Sequence, residues 1–348
     1  MYSEDLKSKI RKARELSWAV FGRRICFYAP SFTYYRSRYF KFSHSHFPSI
    51  SITGRGCSLK CKHCGGKILE TMIPAETPEK LLKALRRIKA RGALGCLISG
   101  GCLPNGSVPL YRFLDAIAEA KKMGLRVVVH TGLLDLEAAE SLREAGVDAV
   151  SIDIIGSDET IREIYNLNAS IQDYEESLRA LHMAGIPFTP HVLVGLHYGE
   201  LRGEFDALSM IAKYNPSALI IIIFFPIKGT EMENFKPPPP EDVARVMVQA
   251  RVMMPRVPIV LGCARPKGKH RVQTDTLAVE AGVNGIAFPE DEAIEKALRE
   301  ADVVLIDEIG KMELFSDRFK LVVEKALNSE KPVLATLHRT LKNIYRSR

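Results

Sequence analysis

The fold class predicted for this chain is α/β: a (β/α)8 barrel of the TIM type with a short α/β appendage after it. From residue 47 onward, short β-branched runs alternate with windows of helical apolar spacing. Eight such runs occur with helical windows between them, which is the pattern of a parallel barrel. Each cluster of glycine or polar residues also falls just after the C-terminal end of a run, where barrel enzymes carry their chemistry.

The strands are expected at 47–53, 94–99, 126–131, 149–153, 188–194, 218–225, 258–261 and 285–288. Helices are expected at 78–89, 110–122, 136–144, 171–183, 204–213, 241–252 and 274–281. The rim then collects Gly56–Gly66, Ser99-Gly100-Gly101-Cys102, His130-Thr131-Gly132, Ser151-Ile152-Asp153, His191 with Gly195–Glu200, Phe225–Thr230 and Gly262–Arg265. Three segments follow: a basic, aromatic arm (1–46), the barrel (47–298) and an appendage (299–348).

Of the formal charge of +8, the arm supplies ten Lys/Arg against three Asp/Glu. Such an arm could hold nucleic acid or an acidic protein. Its aromatics have no repeating spacing of the kind a stacking groove needs, so a cap over the barrel is expected rather than a nucleic-acid site. The longest apolar run, 218–226, is too short to span a bilayer. No secretory start is visible and the seven cysteines do not suggest a disulfide framework, so a reducing, cytoplasmic setting is expected. Only three glutamines occur, a composition in keeping with a thermophile.

The chemistry centres on Gly56-Cys57-Ser58-Leu59-Lys60-Cys61-Lys62-His63-Cys64-Gly65-Gly66, with cysteines at C-x3-C-x2-C spacing. Three thiolates can hold a cubane cluster and leave its fourth iron without a protein ligand. The other readings are a zinc knuckle, in which His63 sits awkwardly close to Cys64 to share one tetrahedron, and three unrelated buried thiols.

The loop resembles the signature of the radical S-adenosylmethionine (SAM) enzymes. That resemblance implies a 4Fe-4S cluster on Cys57, Cys61 and Cys64, SAM chelated by the open iron, and a 5'-deoxyadenosyl radical. It also implies SAM contacts from His63, from Ser99-Gly100-Gly101, from Asp153 near the ribose and from Val194-Gly195 against the adenine. Cys102 stands where the family usually has an acidic residue.

From about 47 to 289 the order of segments is similar to the biotin synthase group, with Arg265 where that group has an arginine on a second, sulfur-donating cluster. Val128 and Thr189 replace the cysteines of that cluster. The remaining thiols suggest an auxiliary Fe-S cluster on Cys26, Cys102 and Cys263, with His130 or His191 nearby, while Cys96 reads as a buried apolar residue.

Within this branch, Phe27–Phe32, Ile98–Cys102, Phe225–Thr230 and Leu261–Pro266 resemble an archaeal homologue, one subunit of the two-protein lipoyl synthase. The implied reaction is sulfur insertion into an octanoyl chain on a lysine of an acceptor protein. The implied partners are that protein, a second radical SAM subunit and an electron donor such as ferredoxin. A single-cluster mutase, lyase or methylating enzyme, and a non-catalytic scaffold, are the alternatives.

After residue 300, Val303–Gly310 reads as a strand ending in Asp-Glu, followed by a helix at 316–327 and a strand at 332–336. This resembles the Walker B half of an archaeal nucleoside-triphosphatase, with Asp307 on Mg2+ and Glu308 orienting water. No G-x4-G-K-[ST] occurs, so no hydrolysis is expected from this fusion or truncation remnant.

Overall fold

The computed structural model describes residues 3–28, 47–309 and 333–337, with side chains described over 3–28 and 47–305. The chain divides into a contiguous unit, Ser45–Pro238, and a split unit made of Met1–His44 and Pro239–Arg348.

The arm opens with α1 (Glu4–Phe21) and β1 (Arg24–Tyr28). The Ser3 hydroxyl accepts from the Leu6 amide, and Glu4 and Asp5 lie at the positive end of the helix dipole. Leu6, Ile10, Ala13 and Ser17 form its buried stripe, and Gly22 ends it at φ 73°. In β1, Ile25 and Phe27 alternate into the core. The other arm aromatics, 32–42, lie outside the described residues.

The contiguous unit carries β2 (Ser49–Ser51), β3 (Ile73–Pro74), α2 (Pro78–Ala90), β4 (Gly95–Ser99), α3 (Leu114–Lys122), β5 (Arg126–Thr131), α4 (Leu136–Glu144) and β6 (Ala149–Asp153). Then come α5 (Asp158–Tyr165), α6 (Ile171–Ala184), β7 (Phe188–Val194), α7 (Glu204–Ala212) and β8 (Leu219–Ile223). The strands are parallel in the order β3-β2-β4-β5-β6-β7-β8. Helix starts follow local chemistry: Thr77 caps α2 ahead of Pro78, and Ser170 with Asp173 forms a capping box on α6.

The split unit adds α8 (Pro240–Met253), β9 (Ile259–Leu261), α9 (Lys269–Glu280), β10 (Gly285–Ala287), α10 (Asp291–Glu300), β11 (Val303–Ile309) and β12 (Val333–Leu337). Its strands are parallel in the order β9-β10-β1-β11-β12. Thus β1 lies between β10, pairing Cys26 with Gly285, and β11, pairing Tyr28 with Asp307.

All eight expected strands are present in order and run parallel within each unit, as the α/β, TIM-type fold class expects, and the appendage strand β11 follows. The expected appendage helix at 316–327 lies outside the described residues, as do the side chains of Asp307 and Glu308. Among the described residues no helix is long and apolar enough to cross a membrane.

Candidate functional site: a cysteine loop and a polar strand face

Two side chains of the cysteine loop, Cys61 and Cys64, are buried, while Cys57 is half-buried. Cys57, Cys61, Cys64, Cys96, Cys102 and Cys263 all carry free thiols. Ligand atoms of Cys61, His63 and Cys64 lie within 4.8 Å of one another. His63 therefore does reach the two sulfurs, despite its place next to Cys64, because the chain turns tightly there. The Gly65 amide donates back to the Cys61 carbonyl at 2.7 Å.

The loop is held from two sides. The C-terminal end of α5 supplies one: the Lys62 amide donates to Ile164 O at 2.8 Å, and Asn166 Nδ2 donates to Leu59 O at 3.0 Å. Asn166 ends α5 in the left-handed region at φ 52°, as asparagine tolerates. The other side is the loop after β4, where the Ser58 amide donates to Cys102 O at 2.8 Å. A Cβ on Gly101 would fall 2.1 Å from Gly56 O and 2.6 Å from Cys57 Cα, so only glycine lets the two loops meet.

Gly101 is held there by its amide, which donates to Thr53 Oγ1 at 2.7 Å. Gly195 is similar: φ is 75°, its amide donates to Glu204 at 2.8 Å, and a Cβ would meet the Pro238 ring at 2.5 Å. Ser99 donates to His130 O at 2.9 Å, and Val194 is fully buried.

Electrostatics separate the buried thiols. Cys61 is pushed up by donating to Cys64 and by burial, whereas Cys64 is lowered, first by accepting from Cys61 and then by His63 against its burial. Burial lifts Cys102 to about 12, helped by charge on Cys57 and Asp153. Burial alone lifts Cys96 to about 12, and its side chain is fully enclosed, as the apolar reading expects.

Strands β5 and β7 bury alternate residues and β6 buries Val150, Ser151 and Ile152, leaving His130, Asp153, Thr189 and His191 half-buried. Parallel register sets Asp153 beside His191 and His130 beside Ser151. Asp153 Oδ1 lies 3.4 Å from His130 Nε2 and 3.9 Å from His191 Nδ1, and the Tyr165 hydroxyl lies 3.4 Å from Oδ2. Burial opposes charge on Asp153, yet the two imidazoles hold its carboxyl below the usual carboxylate range. Burial and the neighbouring His130 push His191 down to about 4, while His130 is raised because Asp153 outweighs its burial.

In the split unit, Arg265 is fully buried and committed. Its Nε and Nη2 donate to both oxygens of Asp275 at 2.8 and 2.9 Å, Nη1 donates to Gly262 O at 2.6 Å, and Nη2 also donates to Phe288 O at 2.9 Å. Cys263 packs against Ala287 and Phe288, and Cys26 pairs in register with Gly285. Cys102 belongs to the contiguous unit instead.

Sequence reading missed α5, Tyr165 and Asn166. Their signal was present: Ser157 followed by Asp158-Glu159 caps the helix, and Ile161, Ile164 and Tyr165 form its buried side.

Residues 51–207 match the family model described as the radical SAM superfamily, and residues 263–348 match one described as NTPase. The second match begins well before residue 300 and takes in α9, β10 and α10. Biotin synthase of Rickettsia felis is 28% identical over 248 residues, covering 69% of this chain and 79% of its own. Biotin synthase of Neorickettsia sennetsu is 26% identical over 289 residues, covering 80% and 86%. Among solved structures, methylornithine synthase superposes with a TM-score of 0.56 at 16% identity, covering 86% of this chain and 88% of that one. The FeFe-hydrogenase maturase HydG from Carboxydothermus hydrogenoformans gives 0.57 at 17% identity, covering 82% and 64%. The last two share the fold. The three-cysteine loop after β2 thus falls inside the stretch, residues 51–207, that is similar to the radical SAM superfamily.

Proposed function

We propose that this protein is a radical SAM enzyme of the biotin synthase-like, sulfur-inserting type. The observation that carries the reading is the loop after β2, with two buried thiols and a third cysteine packed on Gly101. The resemblance assigns a 4Fe-4S cluster to Cys57, Cys61 and Cys64; of these the structure gathers Cys61 and Cys64, with His63, within 4.8 Å, and Cys57 stands beside them on the Gly101 side of the loop. When bound, the cluster and SAM supply a 5'-deoxyadenosyl radical, strong enough to take hydrogen from an unactivated C–H bond.

The chain's own residues orient and enclose. The α5 terminus and Gly101 fix the cysteine loop, and burial of Cys61 and Cys64 keeps water from their sulfurs. His63, Ser99, Gly100, Gly101, Asp153, Val194 and Gly195 are proposed to lie along SAM, with Gly101 and Gly195 acting through packing. The finer reading is sulfur insertion into an octanoyl-lysine of an acceptor protein, with a second radical SAM subunit and a ferredoxin-like donor. It is supported by the resemblance of the 225–230 and 261–266 segments to the archaeal lipoyl synthase subunit.

One observation favours the single-cluster alternative: every nitrogen of Arg265 already donates to Asp275 or to a backbone carbonyl. The two readings separate in one experiment, in which anaerobically reconstituted protein is mixed with SAM, a reductant and an octanoyl-lysine peptide. Sulfur insertion predicts 5'-deoxyadenosine together with a product heavier by one sulfur. Deoxyadenosine without sulfur gain supports the single-cluster enzyme. Absence of deoxyadenosine, with unchanged iron content in a Cys57→Ala/Cys61→Ala/Cys64→Ala variant, overturns the radical assignment.

A further inference from the structure

We propose that His130, Asp153 and His191 hold one divalent metal ion on the half-buried face of β5, β6 and β7, independently of the cysteine loop. One ligand atom from each of His130, Asp153 and His191 lies within 4.8 Å of the other two. The two nitrogen–oxygen separations are 3.4 and 3.9 Å. Ligand atoms about 2.1 Å from a common ion stand roughly 3.4 Å apart in a tetrahedron and roughly 3.0 Å apart at neighbouring corners of an octahedron. The three atoms are therefore close to the spacing that one ion would impose.

Hydrogen bonding accounts for only part of the arrangement: the 3.4 Å His130–Asp153 contact is a long one, and the 3.9 Å separation of His191 from Asp153 lies beyond hydrogen-bond range. His191 Nδ1 is also enclosed and has no hydrogen-bond partner, a position that costs free energy unless another group occupies it. Two imidazoles and one carboxylate form the donor set that suits Fe2+, Mn2+, Co2+ or Zn2+ and leaves coordination positions open.

The surrounding strands hold the set in place. Register fixes Asp153 beside His191, and the His130 carbonyl accepts from Ser99. The Tyr165 hydroxyl faces Asp153 Oδ2, the oxygen turned away from the imidazoles, and orients the carboxylate as outer groups do at metal sites. Asp153 would then face a SAM ribose only through Oδ2. The open positions on the ion would take a carboxylate, carbonyl or hydroxyl oxygen of the substrate.

The test uses the full chain with Cys57, Cys61 and Cys64 changed to Ser, stripped with chelator and titrated with Co2+ alone. One Co2+ per chain is expected, with visible bands of nitrogen–oxygen ligation and no sulfur charge-transfer band. His130→Ala and His191→Ala are each expected to weaken binding on the order of 100-fold, and Cys102→Ser to leave it unchanged. As a check that needs no histidine variant, Mn2+ bound to the same protein should show electron-spin-echo modulation from two imidazole nitrogens. The proposal is overturned by the absence of stoichiometric Co2+ binding, by binding that survives in His130→Ala/His191→Ala, by dependence on Cys102, or by no imidazole modulation.

Discussion

At the scale of single residues, Gly101 and the Arg265–Asp275 pair show how little freedom the site surroundings have. A methyl on Gly101 must displace the Gly56 carbonyl or the Cys57 backbone, neither of which is a flexible side-chain end. Gly101→Ala is expected to cost about 1–3 kcal/mol in urea unfolding, as overpacking does, and to lower iron retained after reconstitution. Gly100→Ala meets only the Thr53 and Ile52 side chains at 3.0–3.1 Å and should be milder. For the buried ion pair, Asp275→Leu leaves a guanidinium without its partner in the core, and about 3–5 kcal/mol is expected to be lost. The double variant Arg265→Met/Asp275→Leu should recover much of that, and a double-mutant cycle in guanidinium chloride checks it. Equal losses in the single and double variants would show that the Phe288 and Gly262 carbonyls, rather than Asp275, dominate.

At the scale of elements, the turn between α4 and β6 is tied to β5 through one carboxylate. Asp148 accepts from the Val127 amide at 2.6 Å and pairs with Lys121 of α3. Burial would raise it, but Lys121 and the Val127 amide together hold it below the usual carboxylate value. The folded state thus binds this proton less readily than the unfolded state. Its stabilising contribution is complete above the unfolded value of about 3.9 and is lost as pH falls through the folded value. Asp148→Asn should therefore flatten the acid limb of the stability-versus-pH curve measured by urea midpoints between about pH 2 and 6. A parallel downward shift with the limb intact would assign that limb to other carboxylates.

Much of the element plan was legible because strand patterns such as Phe188–Val194 and capping signals such as Thr77-Pro78 are local. The three-cysteine spacing was equally local. What pairs with what was not: β1 reads as a charged arm until Gly285 and Val303 are seen on its two edges. Likewise, the meeting of His130, Asp153 and His191 depends on the register of three strands, and the spent donors of Arg265 depend on Asp275 ten residues away.

On the scale of the whole molecule, the appendage is less separable than its family match suggests. Strand β11 pairs with β1 over Val303–Asp307, so cutting the chain after Glu300 would bare a strand edge with Ile25 and Phe27 beside it. Such an edge invites pairing with another chain. The shortened protein is expected to melt at lower temperature and to scatter light on warming, both measurable against the full chain. An unchanged melting curve would show that the β1–β11 ladder contributes nothing. No phosphate-cradling motif accompanies Asp307 and Glu308, and Mg-ATP turnover by the full chain is expected to stay at background.

The place of β1 also sets a timetable for birth on the ribosome. Strands β2 to β8 can associate once Pro238 has emerged, but Cys26 must wait for Gly285. At about 5–20 residues per second that delay is roughly 15–50 s. Throughout it the greasy stripe of α1 and the sides of Ile25 and Phe27 have no native neighbours, so a holding chaperone that favours amphipathic N-termini is the natural companion of the nascent chain.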